Sequence, residues 1–246
     1  MRRKVVLIVQ ARMGSTRLPG KSMFDLAGMP MITRIIQRLK KCKMVNEIVL
    51  AIPKSEQNFC LIKQAYKNNV KLFRGHEDDL VHRFYQAASL FKAKTIVRFP
   101  ADNPVPEPSE IDRIIKFHFL WCKRGFTSNI SQIKGSGYPD GIGAEVFEYD
   151  SLKFIYKKNK SKLKKEHLHL NYYNYATGFS SNKKFPVRTI KCPKKFRRPD
   201  IILDVNYKKQ YKMFEKLYDD LYKINPNFNI NDIIKWHDVN MNTKEN

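Results

Sequence analysis

The amino-acid sequence predicts an α/β protein: a mostly parallel sheet with helices packed on both faces. Three observations carry that reading. Between residues 4 and 121, short apolar runs alternate four times with segments of helical periodicity, the pattern of strands joined by crossover helices. The first run, Val5 to Val9, contains no polar residue, as a strand covered on both faces requires. Hydrophobic residues make up 42% of the 246 and aromatic residues 12%, which supports a packed core and excludes global disorder.

The elements follow in order. Val5–Gln10 predicts a central strand and residues 11–20 a loop. Residues 29–40 place Ile32, Ile35, Ile36 and Leu39 at helical spacing, with Pro30 near the start, where its missing N–H is tolerated. Residues 48–52 predict a second strand, 55–68 a helix capped by Ser55, and 70–73 a third strand. Residues 78–91 predict a helix, 95–99 a fourth strand, and 109–121 a helix capped by Ser109. The pattern then weakens. Gly135-Ser136-Gly137 and Tyr138-Pro139-Asp140-Gly141 are turn signals. A strand is expected at 144–147, a helix at 161–175 and a short strand at 201–204. Residues 206–222 form a helical stripe through Tyr211, Phe214, Leu217 and Leu221, ended by Asn225-Pro226. A short helix at 231–237 and a frayed polar tail at 241–246 complete the chain. There is no internal repeat and no long linker, so residues 1–240 read as a single domain.

The opening Met1-Arg2-Arg3-Lys4 before five apolar residues imitates a secretion signal, but such signals need roughly 7–15 apolar residues. No apolar run approaches the roughly 18 residues that cross a bilayer. Cys42, Cys60, Cys122 and Cys192 are scattered, with no Cys-x-x-Cys pair. Neither a zinc site nor a disulfide framework is expected, and the expected compartment is a reducing cytoplasm. The net charge is +24, of which residues 151–200 carry +13. Such a surface suits nucleic acid, an anionic membrane or a phosphorylated small molecule. Lys outnumbers Arg 33 to 14, so residue usage accounts for part of the excess without any partner.

The loop after the first strand concentrates the chemistry. Gln10-Ala11-Arg12-Met13-Gly14-Ser15-Thr16-Arg17-Leu18-Pro19-Gly20-Lys21-Ser22 holds two glycines, two arginines and a lysine before Ser22. In an open α/β sheet, ligands bind beyond the carboxyl ends of the strands. Loop N–H groups with Arg12, Arg17 and Lys21 there suit a triphosphate. Gly20-Lys21-Ser22 ends like the ATPase phosphate-binding loop, but that motif needs a glycine where Ser15 stands. Asp102 follows the fourth strand at the same sheet edge, where a carboxylate can hold Mg2+ against phosphate oxygens; a turn aspartate before Pro104 is the plainer reading.

These residues carry a resemblance. Ala11 through Lys21 resembles the signature of the cytidylyltransferases that make CMP-activated sugar acids, and is most similar to the spore-coat polysaccharide branch. Arg74-Gly75-His76-Glu77-Asp78-Asp79 with Arg83-Phe84-Tyr85, then Arg98-Phe99-Pro100-Ala101-Asp102-Asn103-Pro104, are similar to further blocks of that branch. So are Tyr138-Pro139-Asp140-Gly141 through Glu145-Val146-Phe147, and Lys165-Glu166-His167. The ordered set spans almost the whole chain.

The resemblance implies a doubly wound, Rossmann-like sheet of the nucleotidyltransferase type. Residues 1–121 would be its nucleotide-binding core, 122–200 an inserted basic subdomain for acceptor binding and dimerisation, and 201–240 a closing strand and helices. It implies transfer of CMP from CTP, with Mg2+, to an anionic acceptor. Arg12, Lys21 and Asp102 take the catalytic places. Gln10, Ala11, Met13, Gly14, Ser15, Arg17, Arg74, Asp78 and Ala101 join Arg12 and Lys21 at the nucleotide, and Tyr138, Asp140, Glu145, Lys165 and His167 lie at the acceptor. The second metal position falls on Asn206, where the family has an aspartate; Asp204, two residues away, is the alternative, and the plain structural reading of Asn206 is a helix cap. A homodimer joined through residues 130–180 is also implied. Two other readings stay open: a basic nucleic-acid-binding protein, which lacks any recognition motif, and an inactive transferase-like scaffold, for which Asn206 is the motive.

Overall fold

Val5–Gln10 forms the central strand β1 of the computed structural model, which describes residues 3–241 apart from 123, 131, 132 and 175. Met1, Arg2, the expected frayed tail beyond 241, and Tyr175 at the end of an expected helix lie outside the described residues. After β1 come the two-residue strands β2 (Asp25–Leu26) and β3 (Met29–Pro30), helix α1 (Met31–Leu39), β4 (Glu47–Pro53), α2 (Phe59–Lys67) and β5 (Lys71–Gly75). Then follow α3 (Leu80–Leu90), β6 (Thr95–Pro100), α4 (Pro108–Trp121), β7 (Phe126–Ser128), β8 (Glu145–Glu148), α5 (Tyr149–Lys158) and α6 (Lys162–Glu166). β9 (Val187–Arg188), α7 (Lys208–Ile224) and α8 (Ile230–Met241) close the chain.

Seven strands form one sheet in the order β5-β4-β1-β6-β8-β7-β9. The β5-β4-β1-β6 half is parallel, as the alternation of strand and helix predicts. The crossovers from β1 lead outward to β4 and β5, and the next returns to the other side of β1 at β6, so the order reverses between β1 and β6. At this reversal the two carboxyl ends diverge and leave a crevice. Alternation along β1 feeds two cores: Val5, Leu7 and Val9 pack with α1, α4, α7 and α8, while Val6 and Ile8 pack with α3 and α5. Among the described residues no helix is long and apolar enough to cross a membrane.

Several expectations need correction. The expected subdomain at 122–200 does not stand apart: β7, β8 and β9 extend the central sheet, and Phe126, Phe147, Tyr172 and Phe185 share a core with α3. The first helix starts at Met31, because Met29–Pro30 pairs with Asp25–Leu26 in a tight hairpin. Ser55 precedes a 3-10 turn, and its hydroxyl bonds Glu77 and Asn58 instead of capping. Pro108, not Ser109, opens α4. The helix expected at 161–175 breaks at His167 into α6 and a 3-10 turn at Leu168–Asn171. Residues 201–204 form no strand, only a single bridge between Asp140 and Ile202. The cap of α7 is Tyr207 rather than Asn206, whose amide N–H donates to the Gln210 side chain at 2.8 Å. The last helix is longer than 231–237, and α5 was not expected at all.

Candidate active site

A cavity of about 630 Å³ opens at the carboxyl ends of β1 and β6. One side of it is built on the loop after β1. The Met13 N–H donates to Asn58 Oδ1 at 2.9 Å, the Ser15 and Gly20 amides to the Met13 carbonyl at 3.0 and 2.9 Å, and the Leu18 N–H to Ser15 Oγ at 3.3 Å. Those four amides are spent inside the loop, and the side chains of Arg12, Ser15, Thr16, Arg17 and Lys21 reach the cavity. Lys21 is buried, and its Nζ donates to the Val205 carbonyl at 2.6 Å and to Asp102 Oδ2 at 3.2 Å. This one side chain ties the loop to the end of β6 and to the segment before α7.

The expected metal residues converge on the same wall. The Val205 N–H donates to the Asp102 carbonyl at 2.8 Å, and the Leu203 N–H to the Asp140 carbonyl at 3.1 Å. That approach depends on Gly141, which has φ +88°; a Cβ there would lie 2.3 Å from the Leu203 carbonyl oxygen. Asp102, Asp140 and Asp204 are thereby brought to one wall. Burial raises the Asp204 carboxyl above the usual range, the charges of Asp140 and Asp102 add to this, and Lys21 and Arg17 oppose it. Asn206 Nδ2 donates to Asp204 Oδ2, and Gln210 Nε2 donates to Asp204 Oδ1 at 2.9 Å. Asn206 Oδ1 is buried with no hydrogen-bond partner.

Among the described residues no three His, Cys, Asp or Glu side chains are drawn together as a metal cluster. Magnesium needs few protein ligands and keeps most of its waters. An orphaned amide oxygen beside carboxylates whose repulsion Lys21 and Arg17 only partly offset fits such an ion, which Asp102 and either Asn206 or Asp204 would hold.

Gln10, Ala11, Asp78 and Ala101 also line the cavity. Met13 and Gly14 do not. Nor does Arg74, whose Nη2 donates to the Lys54 carbonyl at 2.7 Å while its guanidinium lies over Phe59. At the acceptor end, Asp140, Glu145 and His167 reach the cavity. Glu145 is engaged by Arg98 Nη1 at 2.6 Å, and Arg98 Nε donates to Gln10 Oε1 at 2.8 Å. Since Arg98 offers only donors, the Gln10 side-chain oxygen is turned toward it. Lys165 points away, to Asp79 at 3.4 Å. Tyr138 is fully buried, hydrogen-bonded to Glu110 and Arg113 behind the wall; the expectation of an acceptor contact is corrected to a packing position.

Among the cavity residues to which sequence reasoning gave no role are His169 and Arg83. His169 is buried beside Arg98 and His167; burial first, then those two groups, push its pKa down to about 2, so it stays neutral at ordinary pH. Arg83 on α3 also lines the cavity and is 5% exposed. Its one sequence signal is its place after the 74–79 block.

Residues 6–230 match the family described as Cytidylyltransferase. The spore coat polysaccharide biosynthesis protein SpsF of Bacillus subtilis is 28% identical over 220 residues, covering 87% of this chain and 86% of that protein. Among solved structures, a cytidylyltransferase from Leptospira borgpetersenii superposes with a TM-score of 0.85 at 23% identity, over 97% of this chain and 95% of that one. A CMP:2-keto-3-deoxy-manno-octonic acid synthetase complexed with CTP superposes with a TM-score of 0.64 at 16% identity, over 89% and 99%.

Proposed function

The chain belongs to the cytidylyltransferase family, and from that premise we propose that it transfers CMP from CTP to an anionic acceptor with release of pyrophosphate, in the synthesis of a surface polysaccharide or glycoconjugate precursor. The observation that carries the reading is one cavity, at the strand-order reversal, that brings the cations Arg12, Arg17 and Lys21 together with the carboxylates Asp102, Asp140 and Asp204. Cations on the departing phosphates and carboxylates facing a magnesium ion are the charge arrangement that phosphoryl transfer needs; the protein's task is mostly positioning and charge stabilisation.

In this reading an acceptor oxygen, held at the end lined by Asp140 and His167, attacks the α-phosphorus of CTP. The bond from that phosphorus to the bridging oxygen breaks, and its electrons leave with pyrophosphate. Arg12 and Arg17 face the departing charge, and Lys21 fixes the loop to Asp102. Magnesium, when bound, would draw charge from the phosphate oxygens. Gln10 and Asp78 stand near enough to the nucleotide side to take part in base selection. The acceptor classes the reading admits are sugar acids, sugar phosphates and small phosphorylated or phosphonylated acids; the basic 151–200 segment supports an anionic one. A cytoplasmic homodimer joined through residues 130–180 belongs to the same reading, and sedimentation of a monomer at assay concentration removes the dimer from it.

The test is pyrophosphate release from CTP and Mg2+ across a panel of anionic metabolites, with ATP, GTP and UTP as controls. Turnover with one acceptor and a preference for CTP are expected. Stronger thermal protection by ATP than by CTP, with no turnover on any acceptor, would sink the reading.

A further inference from the structure

Arg83 is a buried cation without the partners that buried cations need. Its Nε and Nη1 are shielded from solvent and make no hydrogen bond, a costly arrangement for a guanidinium. Two other buried arginines show what a structural role looks like here. Arg34 donates to the Leu26 and Ala27 carbonyls, and Arg38 to the Pro106 and Phe228 carbonyls.

Two of the three acids beside Arg83 are engaged elsewhere. Glu77 accepts from Ser55 Oγ at 2.6 Å, and Asp79 accepts from the His82 N–H at 2.8 Å and pairs with Lys165. Asp78 reaches the cavity. Burial first and the Arg12 charge second lower the pKa of Arg83, and with Glu77, Asp78 and Asp79 opposing them in part it stands at about 10. The backbone makes room for the stem: a Cβ on Gly75 would lie 2.9 Å from Arg83 Cγ and 2.6 Å from the Phe73 ring. The side chain is thus seated by α3 and the end of β5, and Arg83 lines the same cavity that Arg12 enters from the loop.

Two guanidinium groups held close in a partly desolvated wall are stable together only with an anion between them. We propose that Arg83 is a ligand-binding residue that, with Arg12, forms a two-sided clamp on a phosphate group of the bound nucleotide, one jaw on the loop and one on the rigid helix. The clamp rests on the CTP reading above and extends it to a residue outside the loop.

Calorimetric titration of the intact chain with CTP, pyrophosphate and cytidine, together with thermal denaturation of the ligand-free protein, tests it. Arg83→Met keeps an unbranched stem against Gly75 and removes the charge. CTP and pyrophosphate should bind about ten- to a hundredfold more weakly, the loss of a charge-assisted contact, while cytidine is unaffected. The ligand-free variant should melt at or above the wild-type temperature, because an unsatisfied buried charge has gone. Arg83→Lys should recover part of the CTP affinity. A structural arginine gives the reverse, a lower melting temperature with CTP affinity intact, and that result overturns the clamp. So does an equal loss for cytidine and CTP, which assigns Arg83 to the base. If wild-type chain binds pyrophosphate but not CTP, and Arg83→Met weakens pyrophosphate, the CTP reading falls and the clamp stands.

Discussion

Replacing Asn206 with Asp tests the metal assignment through stability and activity at once. In the structure Asn206 Nδ2 donates to Asp204, and its Oδ1 is orphaned. Asn206→Asp removes that donor and sets a second carboxylate against Asp204, whose carboxyl is already raised by burial and by Asp140 and Asp102. Two unit charges about 4 Å apart at an effective dielectric near 20 repel by about 4 kcal/mol. Protonating one of them at pH 7 instead costs about 1.4 kcal/mol for each of roughly three pH units above an ordinary aspartate, again about 4 kcal/mol. The ligand-free variant should therefore melt roughly 8–16 °C lower in EDTA. Lowering the pH should narrow the gap: a carboxyl whose folded pKa is raised subtracts stability at neutral pH, and that cost is returned as pH falls through the raised value.

Magnesium placed at this wall relieves the same repulsion. It should restore the melting temperature, and the Mg2+ concentration for half-maximal turnover should fall at least tenfold, a small part of what 4 kcal/mol allows. Asp102→Asn, the companion variant, should nearly abolish turnover at any Mg2+ concentration. A second companion, the exchange Asn206→Asp with Asp204→Asn, conserves charge and the paired contact. It tightens Mg2+ if position 206 faces the ion and loosens it if position 204 does. A destabilised Asn206→Asp that Mg2+ neither rescues nor activates, or an intact Mg2+-dependent Asp102→Asn, refutes the assignment.

Three further outcomes follow from the geometry. Arg12→Ala and Lys21→Ala should each lower turnover about ten- to a hundredfold, but only Lys21→Ala should also lower the melting temperature, because it strands the Val205 carbonyl and the Asp102 carboxylate; equal melting temperatures by calorimetry would show that the Lys21 contacts add nothing. Gly141→Ala should cost at least about 1–2 kcal/mol in chemical denaturation, since alanine is strained at φ +88° and its Cβ meets the Leu203 carbonyl, and should weaken Mg2+ use by parting Asp140 from Asp204. His169 binds its proton in the unfolded chain near pH 6.5 but resists it in the folded one, so stability should fall as pH drops below that value, by up to about 1.4 kcal/mol per unit; the slope should be shallower in His169→Gln, and identical slopes would remove His169 as its source.

The parallel half of the sheet was legible because each strand there is a run of five to seven residues whose neighbours repeat at helical spacing, so local pattern and tertiary pairing agree. The other half was not. β7 has three residues and β9 two, too few to show a period, and they become strands only by pairing with a sheet already present. α5 buries only Ser151, Leu152 and Ile155 among tyrosines and lysines, a stripe too thin to stand out. The site divides along the same line. The loop and Asp102 sit at strand ends, which fixes where they point, whereas Tyr138 lies in a turn, Arg74 near the end of a five-residue edge strand and Lys165 in a five-residue helix, too short for their period to set a direction, and they turned to Glu110, Lys54 and Asp79. Arg83 was invisible for another reason: an unsatisfied N–H is a property of its surroundings, and only Gly75, eight residues earlier, reflects the space its stem requires. The choice between Asn206 and Asp204 has that character too. One donates to the other, so the group that meets the ion is the pair, and changing either residue alone alters the electrostatics of both.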